Sequence, residues 1–278
     1  MISQPGQTLL AQRMVGVNFA RQNSSLTRLS TGFRIGAGRD DPAGLIASEN
    51  LRATLASLEA ETRALERADH VTSVADAAMS EISDLLVEAE GLAVASANTG
   101  ATSEAEREAN QMQLDSIVRS IDRIASTTRF NGRALLDGTA TISAGEDSLP
   151  LDAIASSHIG IVDSGGDTHD LADTTSGGTL NIIDGDAGAA VESIRAAASR
   201  VASMRGEVGA FSSNLIRPAV ASNSVAIENT AAAESTIRDT DIARQASDLV
   251  RSQMLSRSSI FALMQSVARG ENVLSLIG

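Results

Sequence analysis

The longest run of periodic apolar positions begins just after Asp40-Asp41-Pro42-Ala43-Gly44. Leu51, Leu55, Leu58, Leu65, Val71, Val74, Ala78, Ile82, Leu85, Ala89 and Leu92 recur at steps of three, four or their sums. This is a heptad-like stripe, broken by polar Thr62 and Asp69. The Asp41 carboxylate is placed to accept from the free first-turn N–H groups, and Pro42 suits the first helical position. Asn98-Thr99-Gly100 offers a stop. The spacing predicts one helix of roughly 80 Å at ~1.5 Å per residue. A capping box, Ser103 to Glu106, opens a second helix with Leu114, Ile117, Ile121 and Ile124 on its stripe. Phe130-Asn131-Gly132 ends it in a turn, and the short link from Asn98 to Ser103 predicts an antiparallel helical hairpin.

From 138 to 189 the pattern changes. Gly, Asp, Ser and Thr separate three short β-like runs, Thr139–Ala144, His158–Val162 and Thr179–Ile183, and Gly145-Glu146-Asp147-Ser148 suits a hairpin link. Helical spacing resumes with Val191, Ile194, Ala198, Val201, Val208, Phe211 and Leu215, and continues through Val220, Ile227, Ala231 and Ile237. Pro218 should kink or break it. Asp239 and Asp241 read as a further helix start. The two ends are weaker. Residues 4–32 carry Leu10, Met14 and Val17 on one side and Leu26 and Leu29 on another. Residues 242–276 carry Ile242, Ala246, Leu249, Ile260, Leu263 and Val267, interrupted by Gln253 and Ser256 and broadened by Val250, Met254, Phe261 and Met264. Each end is half a structure in want of a partner. The fold class expected is mainly α: a long coiled-coil-like helical rod built from the N- and C-terminal segments, with a small β-containing, Gly-rich central insert.

Composition narrows the chemistry. The net charge is −13 and every basic residue is Arg, which argues against non-specific nucleic-acid binding. The apolar 42% contains five Phe and no Trp or Tyr, too few aromatics for a base-stacking surface. Without cysteine there is no disulfide, thiolate nucleophile or Cys-type zinc site. No apolar run approaches the ~20 residues that span a bilayer, and residues 2–22 do not read as a cleavable signal peptide. His70 falls in the long helix as a solvated residue, while His158 and His169-Asp170 lie in the Gly-rich segment without metal-ligand spacing. Asp184-Gly185-Asp186 lacks the further ligands of a calcium loop. There is no phosphate-binding Gly-Lys loop, nucleophile elbow or His-Glu zinc helix. The expectation is a protein with no catalytic, cofactor or metal site.

Several stretches, taken in order, resemble bacterial flagellin. Leu29-Ser30-Thr31-Gly32-Phe33-Arg34-Ile35 with Asp40-Asp41-Pro42-Ala43-Gly44-Leu45 is similar to the family's "LSSGLRIN…KDDAAG" signature. Leu92-Ala93-Val94-Ala95-Ser96-Ala97-Asn98 resembles "LAVQSAN", and Phe130-Asn131-Gly132 with Leu135-Leu136-Asp137-Gly138 resembles "FNG…LLDG". Arg205-Gly206-Glu207-Val208-Gly209-Ala210 is similar to "R..LGA". Asp239-Thr240-Asp241 with Asn272-Val273-Leu274-Ser275-Leu276-Ile277 is similar to "D.DYA…QNVLSLL". Departures fall at Glu88-Ala89-Glu90-Gly91, Ser213-Asn214 and Val267-Ala268-Arg269-Gly270-Glu271.

The resemblance implies a structural subunit that polymerises into the helical flagellar filament for swimming motility, with the hook–filament junction protein of the same family as the alternative. It implies a terminal tube-forming coiled coil from 1–40 plus 240–278, a helical rod domain from 41–138 plus 190–239, and a short variable insert, 139–189, facing solvent. Its partners would be many copies of itself, the flagellar export apparatus, an export chaperone, the filament cap and hook-junction proteins, with no nucleic acid and no membrane insertion. Its location would be the extracellular filament, reached without a cleaved signal peptide. The interface expected between subunits takes in Leu10, Met14, Val17, Leu26, Leu29, Arg34, Ile35, Asp40 and Asp41, and at the other end Leu249, Ile260, Leu263, Val267, Val273, Leu274 and Leu276.

Overall fold

The computed structural model describes residues 4–100, 102–164 and 167–277, with side chains described except at 4, 5, 7, 164 and 269–277. Among the described residues six α-helices carry the fold: α1 (Gln4–Thr31), α2 (Pro42–Ala97), α3 (Glu104–Thr127), α4 (Ala187–Phe211), α5 (Arg217–Arg238) and α6 (Ile242–Ile277). The chain divides into two compact units, one of Met1–Ser57 with Ala226–Gly278 and the other of Leu58–Val225.

The helices start where their caps are. Asp41 Oδ1 accepts from the Gly44 amide at 2.9 Å, and α2 begins at Pro42. Ser103 and Glu106 form the reciprocal box at the start of α3, and the two hydrogen bonds from Ser103 hold the Glu106 carboxyl below its usual range. Asp186 caps α4 through the Gly188 and Ala189 amides, which gives the Asp184-Gly185-Asp186 stretch a structural role. Asp241 accepts from the Arg244 amide at the start of α6.

In the second unit the buried face of α2 runs through Leu65, Ala68, Thr72, Ala75, Met79, Ile82, Leu86, Ala89, Ala93 and Ser96, stepping throughout by threes and fours. Its centre lies one residue away from much of the stripe that the large apolar residues outline. Leu85 and Leu92 are half-buried at its flank, and small Ala and Thr side chains occupy the middle. Small residues there let neighbouring helices approach closely, with the larger ones packing beside the contact. Charge pairs bind the same helices at the surface: Glu90 with Arg195 at 2.6 Å and Asp76 with Arg205 at 2.9 Å. Glu88 accepts from Gln113 Nε2 at 2.7 Å.

Pro218 neither breaks nor ends the helix. A single π-helical turn, Ser212–Ile216, precedes it, with the Arg217 N–H reaching the Ser212 carbonyl. The widened turn absorbs the missing N–H and the ring that a straight α-helix would not accommodate, and α5 continues directly.

Among the described residues the strands form three antiparallel pairs of two to four residues each. β1 (Arg129–Phe130) and β2 (Arg133–Ala134) form a hairpin that the sequence pattern showed only as a turn. Its two-residue link, Asn131-Gly132, has positive φ at both positions (50° and 81°), the geometry that favours an Asn-Gly pair. β3 (Thr141–Ala144) pairs with β4 (Asp147–Pro150), so the hairpin link is Gly145-Glu146 alone. β5 (Val162–Ser164) pairs with β6 (Asp167–His169), leaving His158–Ile161 outside any strand. Thr179–Ile183 is not a strand either; the Asn181 side chain accepts from the Ile183, Asp184 and Gly185 amides and holds that stretch as a turn.

The segment expected as a variable insert, 139–189, contributes apolar side chains to the second unit's core while many of its polar residues are exposed. Leu151, Ile154, Ile159, Leu171, Leu180 and Ile182 are buried in one cluster with Ile82, Ile121 and Ile194. One face of α3 fastens it. Gln111 donates to the Thr174 carbonyl and accepts from the Ile182 amide. Asp115 accepts from the amide and hydroxyl of Ser176, and Asp122 from those of Ser156. Most of these partners are backbone groups of an irregular segment, which has no helix or sheet ladder to satisfy them.

Candidate assembly surface

Helices α1 and α6 pack against each other within the first unit. Asn18 Nδ2 donates to Ser259 Oγ at 3.2 Å, and Gln245 Nε2 donates to Ser25 Oγ at 2.7 Å. The residue order is reversed between these bonds, so the pair is antiparallel. The contact runs along α1 through Ala11, Val15, Asn18, Gln22, Ser25 and Leu29, and along α6 through Gln245, Leu249, Ser252, Ser256, Ser259, Leu263 and Ser266, all buried or half-buried. Both sets step by four and three, the spacing of a coiled-coil seam. Its buried positions are nonetheless polar, Asn18, Ser25, Gln245, Ser252 and Ser256, with Val15, Leu29, Leu249 and Leu263 half-buried among them. Ser256, read in the sequence as an interruption, is a buried seam residue.

Many of the large apolar side chains of both helices lie outside the seam. Leu9, Leu10, Met14, Val17, Phe19 and Leu26 are exposed on α1, and Val250, Met254, Leu255, Phe261, Met264 and Val267 on α6. Phe261 is 68% exposed. Burying such a side chain is worth ~1.5–3 kcal/mol, and in the single chain these side chains gain little of it. Among the described residues no helix is long and apolar enough to cross a membrane.

The linkers that join these helices to α2 and α5 are fastened together. Phe33 and Asp239 form an antiparallel bridge, Arg34 N–H donates to the Arg238 carbonyl at 2.7 Å, and Thr240 N–H donates to the Gly32 carbonyl at 2.9 Å. The Arg238 guanidinium lies 4.4 Å from the Phe33 ring centroid and within ion-pair reach of Glu49 and Glu234. The Arg34 guanidinium donates to the Ile237 carbonyl.

The expected interface residues therefore separate into groups. Leu10, Met14, Val17, Leu26 and Val267 are outward and exposed. Leu29, Leu249, Ile260 and Leu263 are half-buried in or beside the seam. Ile35 is buried inside its own chain, Arg34 is engaged with Ile237 and Arg238, and Asp40 and Asp41 are engaged locally; Asp40 accepts from the Gly36 and Ala37 amides. Val273, Leu274 and Leu276 lie on the α6 backbone, with side chains outside the described residues. The polar seam and the Arg238 cluster went unread in the sequence. The 4–3 spacing of Ser, Asn and Gln on both ends was the available signal.

The histidines stay apart in their roles. His70 is exposed; His158 contacts its neighbour Ser157; His169 Nδ1 lies 3.3 Å from Asp173 Oδ2 and 3.0 Å from Thr179 Oγ1. Among the described residues no group of three or more acidic or His side chains is arranged to hold a metal.

Paired terminal helices with a polar seam and an apolar exterior define a long-helix protein of the coiled-coil kind. The chain belongs to the bacterial flagellin family: residues 2–141 match the bacterial flagellin N-terminal helical region and residues 191–277 the C-terminal helical region. It is 30% identical over 280 residues to the flagellar filament 31.3 kDa core protein of Treponema maltophilum, covering 97% of this chain and 96% of that protein. It is 28% identical over 285 residues to the 30.7 kDa core protein of the same organism, covering 97% of each. Its fold is also like that of a solved flagellar hook-associated protein from Vibrio parahaemolyticus, with TM-score 0.54 and 16% identity over 72% of this chain and 100% of that one.

Proposed function

We propose that this chain is the structural subunit of a flagellar filament, polymerising through its terminal helices to serve swimming motility. The observation that carries the reading is the outward apolar face of the α1/α6 pair, uncovered in a single chain. A helical polymer repeats one such contact at every subunit, so a face of this kind is covered by further copies of the chain itself. In this reading the terminal segments build the inner tube, with Leu10, Met14, Val17, Leu26 and Val267 meeting neighbouring copies and Leu249 and Leu263 holding the seam. The filament lies outside the cell, and the partners are the flagellar export apparatus, an export chaperone, the filament cap and the hook-junction proteins. The junction-protein alternative is disfavoured: the relatives at 28% and 30% identity are filament core proteins, whereas the hook-associated neighbour shares only a fold. The test is negative-stain microscopy of the purified chain after salt addition. Long helical filaments are expected; short plugs would favour the junction role, and no polymer at all would overturn assembly.

A further inference from the structure

Among the described residues four methionines are exposed and two are sealed in the core. Met14, Met254 and Met264 are 55%, 64% and 66% exposed, and all three sit on the outward apolar faces of α1 and α6. On α6 the spacing Val250, Met254, Phe261, Met264 puts two thioethers on the same stripe as the most exposed Phe. Met112, on α3 in the other unit, is equally exposed, while Met79 and Met204 are buried at 0% and 3%. The chain has no Cys, Trp or Tyr, so the thioethers are its most readily oxidised side chains.

We infer that Met14, Met254 and Met264 form an oxidation-sensitive site that governs polymerisation. The inference rests on the filament reading of the same surface. A peroxide is the oxidant: a sulfur lone pair attacks one peroxide oxygen, the O–O bond breaks, and the sulfoxide forms as the peroxide is reduced to water or an alcohol. Each event turns a flexible apolar side chain into a polar, chiral one. A sulfoxide oxygen in an apolar contact loses its hydration without gaining a donor, which opposes burial. A filament contact carries three such positions per subunit, and one interface is reused along its length. Modification therefore blocks addition of new subunits while leaving the core of the second unit, with its sealed Met79 and Met204, intact. A subunit already covered by neighbours hides these sulfurs, so the sensitivity belongs to the unassembled chain. Sulfoxide reductases reverse the change.

The experiment treats the purified full chain with hydrogen peroxide before and after salt-induced polymerisation. Peptide mass mapping should find one added oxygen at Met14, Met254 and Met264 in the unassembled chain, none at Met79 and Met204, and protection of the first three in filaments. Sedimentable polymer from the oxidised chain should fall about tenfold and return after methionine sulfoxide reductase treatment. A Met14→Leu, Met254→Leu, Met264→Leu chain, nearly volume-conserving, should polymerise equally well with or without peroxide, with Met112 oxidised as proof of exposure to the reagent. An oxidised chain bearing all three sulfoxides that still polymerises at the untreated rate would overturn the inference while leaving the filament reading intact. So would a triple variant that peroxide disables as fully as the parent. An untreated chain that forms no polymer would count against the filament reading, and this one with it.

Discussion

Asp41 caps a helix of 56 residues through one hydrogen bond to the Gly44 amide, 2.9 Å long. Replacing an Asp cap by Ala typically costs about 1 kcal/mol, so Asp41→Ala should lower the thermal midpoint measurably, and Asp41→Asn should recover most of the loss. Thermal circular dichroism of the two variants beside the parent checks this. Gly160 is constrained in another way. Its φ is +72°, and a Cβ there would stand 2.7 Å from the Ser193 carbonyl oxygen and 3.2 Å from Leu171 Cβ. The same carbonyl-and-hydroxyl neighbourhood is engaged, since Ser193 Oγ donates to the Gly160 carbonyl at 2.6 Å. Gly160→Ala should therefore destabilise by about 2 kcal/mol or more, through left-handed strain plus a clash with backbone that α4 holds in place. Denaturant unfolding would measure it; a change within ~0.5 kcal/mol would mean the loop relaxes freely.

At the scale of elements, α3 does two jobs with one helix. Its apolar stripe enters the core, and Gln111, Asp115 and Asp122 beside it hold an irregular segment by that segment's own backbone. Burial pushes the Asp115 carboxyl upward, but hydrogen bonds from the Ser176 hydroxyl, Gln111 and the Ser176 amide, with Arg119 nearby, outweigh it and leave it below the usual carboxylate range. A lowered folded value means the contact stabilises fully above the unfolded carboxylate pKa of about 3.9, and this contribution is lost as pH falls through the folded value. Hydrogen exchange at the Ser176 amide should thus be steady from neutral pH to about pH 5, after allowance for intrinsic rates, and lose protection below about pH 4. Asp115→Asn should weaken that protection at neutral pH and flatten its dependence on acid. Unchanged exchange in the variant would mean that Gln111 and the buried Leu180 and Ile182 hold the segment unaided.

For the whole molecule, the consequence of a polar seam is a division of labour between folding and assembly. Seam hydrogen bonds such as Gln245 to Ser25 are worth ~1 kcal/mol net each, enough to set the register of α1 against α6 and little more. Burial of the outward apolar side chains stabilises more, and it is available only in contact with other chains. Leu263, half-buried in the seam, tests the separation. Leu263→Asp forfeits its ~1.5–3 kcal/mol of burial and places a charge at a contact that polymerisation covers further. Filament yield should collapse while the melting of the second unit, Leu58–Val225, stays at the parent's temperature. Full-length filaments from the variant would refute the seam's role in assembly; early melting throughout would assign α6 to the stability of the folded chain as a whole.

The helices are legible in the chain alone because their signals are local: Asp41-Pro42, the Ser103–Glu106 box, Asp241 and the 3–4 spacing of apolar positions all act within one or two turns. The family resemblance is legible on the same footing, in short motifs in a fixed order. Which face of each helix lies inside is settled only by packing between distant segments. Periodicity states which residues share a face, but not which face wins a contact. In α2 the winning row sets Ala68, Thr72, Ala75, Ala89 and Ala93 among Leu65, Met79, Ile82 and Leu86, partly one residue from the expected stripe, and in α1 and α6 the most buried seam positions are Asn18, Ser25, Gln245, Ser252 and Ser256. In α1 and α6 hydrogen-bonding side chains close the contact, while Met14, Met254 and Phe261 stay exposed in the single chain. Likewise Asn18 with Ser259, Phe33 with Arg238, and Gln111 with Ile182 join residues far apart in the chain. No local pattern announces such pairs, since their free energy exists only once the backbone has brought them together.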